Sequence, residues 1–215
     1  MKILVVDVGG SNAKLLIQGA ERRRKFKSGS RFTPADLVAG VAEHAEDWPF
    51  DVVTLGLPAP VRDGRVLRNP RNLGPGWTDF DFEEGFGKPT KVVNDAAMQA
   101  FGSYEGGRML FLGLGTGLGA AMVDQGHLIG LELAHLPYRD GSYEDYVGER
   151  GLDRHGHKAW RKAVFEVAEL LREGMVADYV VLGGGNVKKL EDLPPHTRRG
   201  ANANAFVGGF RMWST

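Results

Sequence analysis

Two glycine-rich turns in the sequence carry residues suited to binding phosphate groups. In the first, residues 7–14 (DVGGSNAK), the Asp7 carboxylate ends an apolar run and is followed almost directly by Gly9 and Gly10. A turn without Cβ atoms lets backbone N–H groups approach an anion closely. Ser11 adds a hydroxyl donor, Lys14 adds a cation, and Asp7 can hold Mg²⁺ directly or through water. The alternative interpretation is an ordinary β-hairpin whose turn binds nothing.

The second turn, Gly115-Thr116-Gly117, lies in the run GLGTGLG and has the same two interpretations. The run looks like a dinucleotide-binding fingerprint, but strand-like segments flank it on both sides, whereas that fingerprint needs a strand and then a helix. A third glycine run follows at Gly183-Gly184-Gly185. Two matching turns and a third run together favour phosphate binding over packing alone.

Asp95 stands between a predicted strand and a predicted helix. Such a junction fixes a side chain and directs it into a cleft. A carboxylate placed there can accept the proton of an attacking hydroxyl, which typically contributes ~10²–10⁴-fold to a rate. It can also be the N-cap of the helix, a position that Asp fills well. The local sequence leaves both roles open.

The elements that position these residues are predicted from apolar runs and helical spacing. A strand–glycine turn–strand pattern occurs twice, about one domain apart, which indicates an internal duplication. Strands followed by alternating helix and strand, twice over, predict an α/β fold with mixed sheets.

Strands are predicted at 3–8, 13–18, 52–57, 91–93, 109–114, 119–123 and 179–182. Helices are predicted at 34–46, from Asp95, at 158–173, and at about 204–213 with a break at Gly208-Gly209. Residues 58–80 are predicted to form a long functional loop, and residues 130–143 to be irregular.

Bulk composition disfavours several classes of function. The 215 residues include 27 Lys+Arg and 27 Asp+Glu, so the formal net charge is zero and non-specific nucleic-acid binding is disfavoured. There is no cysteine, which excludes disulfides and a thiolate zinc site. The N-terminal apolar run meets Asp7 too early for a signal peptide, and the longest apolar stretch, 109–123, is too short and glycine-rich to span a bilayer. We therefore expect a soluble, cytoplasmic protein without a membrane partner.

Taken in order, these motifs resemble those of the sugar kinases of the ROK (repressor, open reading frame, kinase) family, and of its polyphosphate-glucokinase branch in particular. Residues 7–14 and 114–119 match the two phosphate motifs, and Asn94-Asp95-Ala96 resembles the catalytic turn. The sugar loop is similar at 56–61, 64–66, 72–73 and 77, the sugar-contacting segment at 132–135, and the resemblance continues through 143–148 and the adenosine-side 182–186. It thus covers nearly the whole chain in the family's order.

The resemblance implies two actin-like (ribonuclease H-like) lobes with a cleft between them, residues 1–95 and 96–215, with the last helix able to pack back on the first lobe. It implies phosphoryl transfer from ATP or inorganic polyphosphate to the 6-hydroxyl of glucose or a similar hexose, with Asp95 as general base and Mg²⁺ at Asp7. The implied sugar-binding residues are Asn72, Asn94, Glu132, His135 and Glu144. The implied phosphate- or nucleotide-binding residues are Asp7, Gly9, Gly10, Ser11, Lys14, Gly115, Thr116, Gly117, Gly183, Gly184 and Gly185.

The sequence departs from the family in ways that leave alternatives open. The family often carries a cysteine-rich zinc loop where this chain has only residues 136–142, so zinc is excluded there. Ala59 and Ala134 stand where the family usually has glycine, which leaves room for a catalytically degenerate regulatory protein that binds a sugar or nucleotide. An actin- or chaperone-type ATPase is the other alternative. The choice of sugar, the choice of donor and the formation of a homodimer are left open.

Two charged features have competing interpretations. Glu132 and His135 are three residues apart, which would place them on one face of a helical turn, where they could bind a sugar or form an ordinary surface pair. The basic run at residues 22–25 is interpreted as a solvated strand or turn rather than a polyphosphate-binding track.

Overall fold

A computed structural model describes residues 1–214 of the chain, and its core is a pair of five-stranded mixed sheets flanked by helices. The strands are β1 (Ile3–Val8), β2 (Asn12–Ile17), β3 (Arg24–Lys27), β4 (Val52–Leu57), β5 (Val61–Arg62), β6 (Arg65–Val66), β7 (Thr90–Asn94), β8 (Arg108–Leu114), β9 (Leu118–Asp124), β10 (His127–Leu131), β11 (Pro137–Tyr138), β12 (Gly141–Ser142), β13 (Tyr179–Gly183) and β14 (Thr197–Arg199). The helices are α1 (Pro34–His44), α2 (Phe82–Phe86), α3 (Asp95–Ser103), α4 (Tyr143–Val147), α5 (Glu149–Gly174) and α6 (Asn204–Arg211), with a 3₁₀ turn at Val187–Lys189.

The two large sheets repeat one topology. The first has the order β3-β2-β1-β4-β7, and the second has the order β10-β9-β8-β13-β14. In each sheet an antiparallel three-stranded meander is extended by two parallel strands. The predicted α/β class with mixed sheets and the predicted internal duplication are confirmed.

Local sequence explains why the central elements form where they do. β4 is buried at all six positions and β1 at five of six, as expected for strands covered on both faces. α1 begins with a capping box, in which Thr33 and Asp36 satisfy each other's backbone N–H groups, and Pro34 has the fixed φ that suits a first helical turn.

The chain forms two compact units. One comprises Met1–Met98 together with the C-terminal segment from Ala205, and the other is Gln99–Asn204. We refer to them as the discontinuous unit and the continuous unit. The discontinuous unit contains the first sheet, and the continuous unit contains the second.

Helix α6 packs on the first sheet of the discontinuous unit. Ala205 and Phe206 join Ile3, Val5 and Met98 in a buried cluster. The predicted break at Gly208-Gly209 is wrong, because the helix continues through both glycines. They are needed for close approach instead: a Cβ on Gly209 would lie 2.4 Å from a methyl group of Val5.

Helix α5 covers the second sheet with an apolar face centred on Trp160, which is fully buried and donates its indole N–H to the Val147 carbonyl over 2.8 Å. The predicted helix at 158–173 was too short. The observed helix begins at Glu149 and is kinked at Gly156, whose φ of 76° and ψ of 165° are not helical. The sequence pattern detects only the part after the kink.

The remaining differences concern short or exposed strands. Residues 130–143 are not irregular throughout, because β10 pairs with β9 and β11 pairs with β12. The loop at 58–80 contains the small hairpin β5–β6. β10 has three exposed and two half-buried positions, so it is not the fully buried strand that a continuous apolar run identifies.

No helix within residues 1–214 combines the length and the apolar character needed to cross a membrane.

Candidate active site

The first glycine turn closes the β1–β2 hairpin, where the Gly9 N–H donates to the Asn12 carbonyl over 3.0 Å. Neither Gly9 nor Gly10 has a left-handed φ, so the conformation of the turn does not require glycine. A Cβ on Gly10 would make a tight contact, 3.3 Å from Cβ of Asn72. Asn72, a predicted sugar-binding residue, therefore lies beside the predicted phosphate-binding turn.

Asp7 and Lys14 face each other across the same hairpin. They are register partners, and Lys14 Nζ lies 3.0 Å from Oδ2 of Asp7. The Asp7 side chain is only 16% exposed. A partly buried carboxylate at a strand end fits Mg²⁺, which usually binds one or two carboxylates together with substrate phosphates. Within residues 1–214 there is no cluster of three His, Asp or Glu residues that could form a metal site from protein groups alone.

The sheet register brings Asp7 and Asp95 to one edge of the first sheet. Asp7 is level with Gly56 on β4, and Gly56 is level with Val93 on β7, so the carboxyl ends of β1, β4 and β7 are neighbours. At ~4.8 Å per strand spacing, the backbones at Asp7 and Val93 are about 10 Å apart. Asp95 follows two residues after Val93.

Asn94, rather than Asp95, occupies the capping position of α3. Its Oδ1 accepts the Ala97 N–H over 3.1 Å, and its Nδ2 donates to the Ala59 carbonyl over 3.1 Å. Asp95 is the first helical residue, is half-buried, and accepts the Ala96 N–H on Oδ1 over 2.8 Å. Asn94 is therefore the N-cap of α3, although the Asp95 carboxylate also accepts one of the terminal N–H groups of the helix.

The second glycine turn and the third glycine run lie together in the continuous unit. β8 and β13 are parallel neighbours, and Gly115 and Gly184 follow their carboxyl ends. Asn186 links the two segments by donating its N–H to the Leu114 carbonyl over 2.9 Å and its Nδ2 to the Gly115 carbonyl over 3.1 Å. Gly184 has a φ of +83° and lies directly against the Leu114 carbonyl, so glycine is required at this position.

The carbonyl groups of the second turn are held by helix α5. The Glu149 N–H donates to the carbonyls of Gly115, over 3.0 Å, and Thr116, over 3.3 Å. The N–H of Glu149, which has no partner within the helix, is therefore satisfied by the glycine turn, and the same hydrogen bonds fix the conformation of that turn.

The predicted sugar-binding residues of the continuous unit are only partly brought together. The Glu144 N–H donates to the Ala134 carbonyl over 2.9 Å, and its carboxylate packs on Gly117, where a Cβ would lie 2.0 Å from Oε2. Glu132 and His135 are exposed, and they lie in a turn between β10 and β11. Residues 132–135 are not part of a helix; the chain makes a single turn there, in which the Leu136 N–H donates to the Leu133 carbonyl over 3.1 Å.

The β11–β12 hairpin, which the sequence analysis did not predict, packs against the tyrosines of α4 and follows this segment directly. Tyr138 packs on Tyr143 and Tyr146, with ring centroids 5.2 and 5.1 Å apart, and Arg139 forms an ion pair with Glu166 at 2.6 Å. Burial, and then the neighbouring Glu166 carboxylate, raise the pKa of Tyr138 to about 12. The three tyrosines within nine residues were the available signal. The hairpin occupies residues 136–142, the segment that stands where the family resemblance would place a zinc loop.

No family model matches the chain. It is 27% identical to a polyphosphate glucokinase of Mycobacterium leprae over an alignment of 242 residues, which covers 98% of this chain and 74% of the relative. It is 23% identical to a polyphosphate glucokinase of Mycobacterium tuberculosis, with 88% of this chain and 80% of the relative covered. The resemblance seen in the motifs thus extends along the chain.

Solved structures share the fold. An inorganic polyphosphate/ATP-glucomannokinase from Arthrobacter sp. strain KM superposes with a TM-score of 0.78 at 22% identity, covering 98% of this chain and 97% of that one. A ROK family glucokinase from Streptomyces griseus, solved with glucose and AMPPNP, has a TM-score of 0.73 at 18% identity, and both chains are 99% covered.

Proposed function

We infer that this homologue of the polyphosphate glucokinases, which has the fold of the ROK kinases, is itself a sugar kinase. It transfers a phosphoryl group from ATP or inorganic polyphosphate to the 6-hydroxyl of glucose or a similar hexose. The observation that carries this proposal is that Asp7 and the Asn94-Asp95 turn lie at the same end of the first sheet, at the carboxyl ends of β1 and β7, with β4 between them.

Each group at this edge has a distinct role in the proposed reaction. Asp95 accepts the proton of the attacking hydroxyl, a transfer that requires one carboxylate oxygen within hydrogen-bond reach. Asn94 cannot move freely, because both ends of its amide are bonded to the backbone, and it therefore holds the base at the start of α3. Lys14 and the N–H groups of the first turn balance the negative charge of the transferred phosphoryl group. Mg²⁺ bound at Asp7 would neutralise donor phosphates.

The remaining predicted residues bind the two substrates. Asn72, Asn94, Glu132, His135 and Glu144 are proposed to hydrogen-bond sugar hydroxyls, since a site that pairs such hydroxyls rejects analogues lacking them. The turns at Gly115-Thr116-Gly117 and Gly183-Gly184-Gly185 are proposed to bind the donor. Their support is the shared position at the ends of two adjacent strands and the Asn186 side chain that links them.

A coupled assay tests this proposal. Purified protein is given glucose with either ATP or inorganic polyphosphate, and formation of the sugar phosphate is followed in the presence of Mg²⁺. We expect turnover with at least one donor that depends strictly on the sugar. Hydrolysis of ATP without sugar would instead indicate an ATPase, and sugar binding without turnover with either donor would indicate a degenerate binding protein.

A further inference from the structure

The long loop between β4 and α2 carries an arginine at every third position from residue 62 to residue 71. All four arginines are exposed: Arg62, Arg65, Arg68 and Arg71. Three residues of the same segment are buried and anchor it, namely Val66, Pro70 and Leu73, whereas Leu67 is exposed. Arg62 has Asp63 at 4.0 Å, but the other three take part in no ion pair among residues 1–214. Three uncompensated guanidinium groups are therefore held on a fixed loop.

Edge strand β3 carries a second set of cations beside the same turn. Lys25 and Lys27 are exposed, and neither has an ion-pair partner within residues 1–214. Lys25 is the last residue of the basic run 22–25 that the sequence alone favoured as a solvated strand or turn, so the inference departs from that interpretation at this one residue. Lys25 is the register partner of Lys14, which in turn is the register partner of Asp7. Register partners in antiparallel strands share a face, so Asp7, Lys14 and Lys25 form a row across the sheet with ~5 Å steps.

The segments that carry the two sets of cations both reach the first glycine turn. On one side, Ser28, which follows β3, donates its hydroxyl to the Gly9 carbonyl over 2.6 Å. On the other side, Asn72, which follows Arg71, packs against Gly10. The two segments are also joined directly, because the Gly74 N–H donates to the Phe32 carbonyl over 2.9 Å. All of these residues belong to the discontinuous unit.

We propose that this cationic surface, defined as Lys25, Lys27, Arg65, Arg68 and Arg71, binds a linear inorganic polyphosphate that extends beyond the phosphates held at the first turn. The set is spread over two separate segments, residues 25–27 and 65–71, so a linear anion that contacts all of it has to extend beyond the turn. The inference rests on the proposed function for the reaction at the turn, but the binding itself can be measured separately.

The surface suits polyphosphate better than single-stranded nucleic acid. Proteins that bind single strands combine cations with aromatic side chains on which the bases stack. Within residues 22–31 and 62–72 the only aromatic residue is Phe26. It is half-buried and its ring packs against Phe32 and His44, so it is not available for stacking.

Three double variants of equal charge loss test the proposal: Arg68→Gln with Arg71→Gln, Lys25→Gln with Lys27→Gln, and the control Arg22→Gln with Arg23→Gln. The control residues are also exposed, but they precede β3 at the end of the strand opposite to Ser28. Binding of long-chain polyphosphate is measured over a range of salt concentrations, with an oligonucleotide as competitor. KM is measured for long-chain polyphosphate, tripolyphosphate and ATP.

We expect each test pair to weaken binding of long-chain polyphosphate about tenfold at low salt. By analogy with other polyanions, each pair should also reduce the slope of log affinity against log salt by roughly 1.5. The KM for long-chain polyphosphate should rise, whereas the KM values for tripolyphosphate and ATP should not, and the control pair should change neither binding nor KM.

The proposal is wrong if the control pair has the same effect as the test pairs, if tripolyphosphate is affected equally, or if the oligonucleotide competes as well as polyphosphate does.

The outcomes separate this inference from the proposed function. Turnover with ATP and no polyphosphate binding would leave the kinase proposal standing and overturn the cationic site. Binding of polyphosphate that depends on both test pairs, without sugar phosphorylation by any donor, would support the site and overturn the kinase proposal.

Discussion

Asp95 is the residue on which the proposed chemistry depends most directly. We expect Asp95→Asn to lower kcat by about 10²–10⁴-fold, because the amide cannot accept the proton of the sugar hydroxyl. The affinity for glucose should change little, since the amide keeps the size of the side chain and one acceptor oxygen. Steady-state kinetics with glucose binding measured separately would check both expectations.

Asp81→Asn is the matched control for that variant. Asp81 is the N-cap of α2 and accepts the Glu84 N–H over 3.0 Å, a role that Asn fills equally well. It should leave kcat unchanged. A kcat near that of the unsubstituted protein in Asp95→Asn would assign the base to another group.

At the residue level, sequence could nominate candidates but could not assign their contacts. The sequence left Asp95 open as either a base or a cap, and only the three-dimensional structure shows that Asn94 takes the capping position. The contact of Glu144 with Gly117 joins residues far apart in the chain, so no local pattern could predict it. Glu132 and His135 show that a local pattern can also mislead. Their spacing of three suggests a shared helical face, but the chain makes only a single turn there, outside any helix.

At the level of elements, the most reliable predictions were strands buried on both faces. β1, β4 and β8 are continuous apolar runs, and their sequences identify them without tertiary information. β10 and α6 were harder for opposite reasons. β10 is half exposed and shows no clear alternation, whereas the glycines of α6 serve packing against Val5 and so look like helix breakers in the sequence alone.

The close contact between Gly184, which follows β13, and Leu114, at the end of β8, can be tested by one substitution. Gly184→Ala should destabilise the protein by about 2–4 kcal/mol, because the residue has a φ of +83° and its new Cβ would lie 2.3 Å from the Leu114 carbonyl oxygen. Urea unfolding would measure the change.

Gly185→Ala provides the comparison for this variant. Its Cβ would meet nothing within 4 Å, so its free energy of unfolding should stay within about 0.5 kcal/mol of the unsubstituted value. Equal stability of the two variants would show that the approach of Gly184 to Leu114 is not needed.

On the scale of the whole molecule, one small contribution to acid stability should come from the exposed ion pair between Arg24 on β3 and Asp47, which lies three residues beyond α1. The hydrogen bond from Arg24 lowers the pKa of Asp47 from 3.8 to about 2. A lowered pKa in the folded state stabilises the protein above the unfolded value, and this stabilisation is lost as the pH falls from 3.8 through about 2. Asp47→Asn should therefore be less stable than the unsubstituted protein at pH 7, and the two stability curves should converge in that acidic range.

Asp63→Asn is a suitable control, because that carboxylate is 93% exposed and lies 4.0 Å from its arginine neighbour. Its stability curve should follow that of the unsubstituted protein from pH 7 downwards. Chemical denaturation at several pH values gives both curves. A constant difference between Asp47→Asn and the unsubstituted protein at every pH would contradict the assignment.

The repeated topology was the whole-molecule feature that the sequence predicted best. Its signal was the recurrence of an apolar run, a glycine turn and a second apolar run, which both sheets contain as their first hairpin. The strand order beyond that hairpin could not be predicted, since the edge strands β3 and β14 are short and mostly polar.

The place of α6 in the fold has a consequence for how the protein is made. Ile3 and Val5 leave the ribosome well before α6, the helix that packs on them, has been translated. Residues 99–204 are contiguous and can acquire their native structure as soon as they emerge. The first sheet therefore lacks its covering helix while the continuous unit is being made, and its apolar strand surface is exposed during that time.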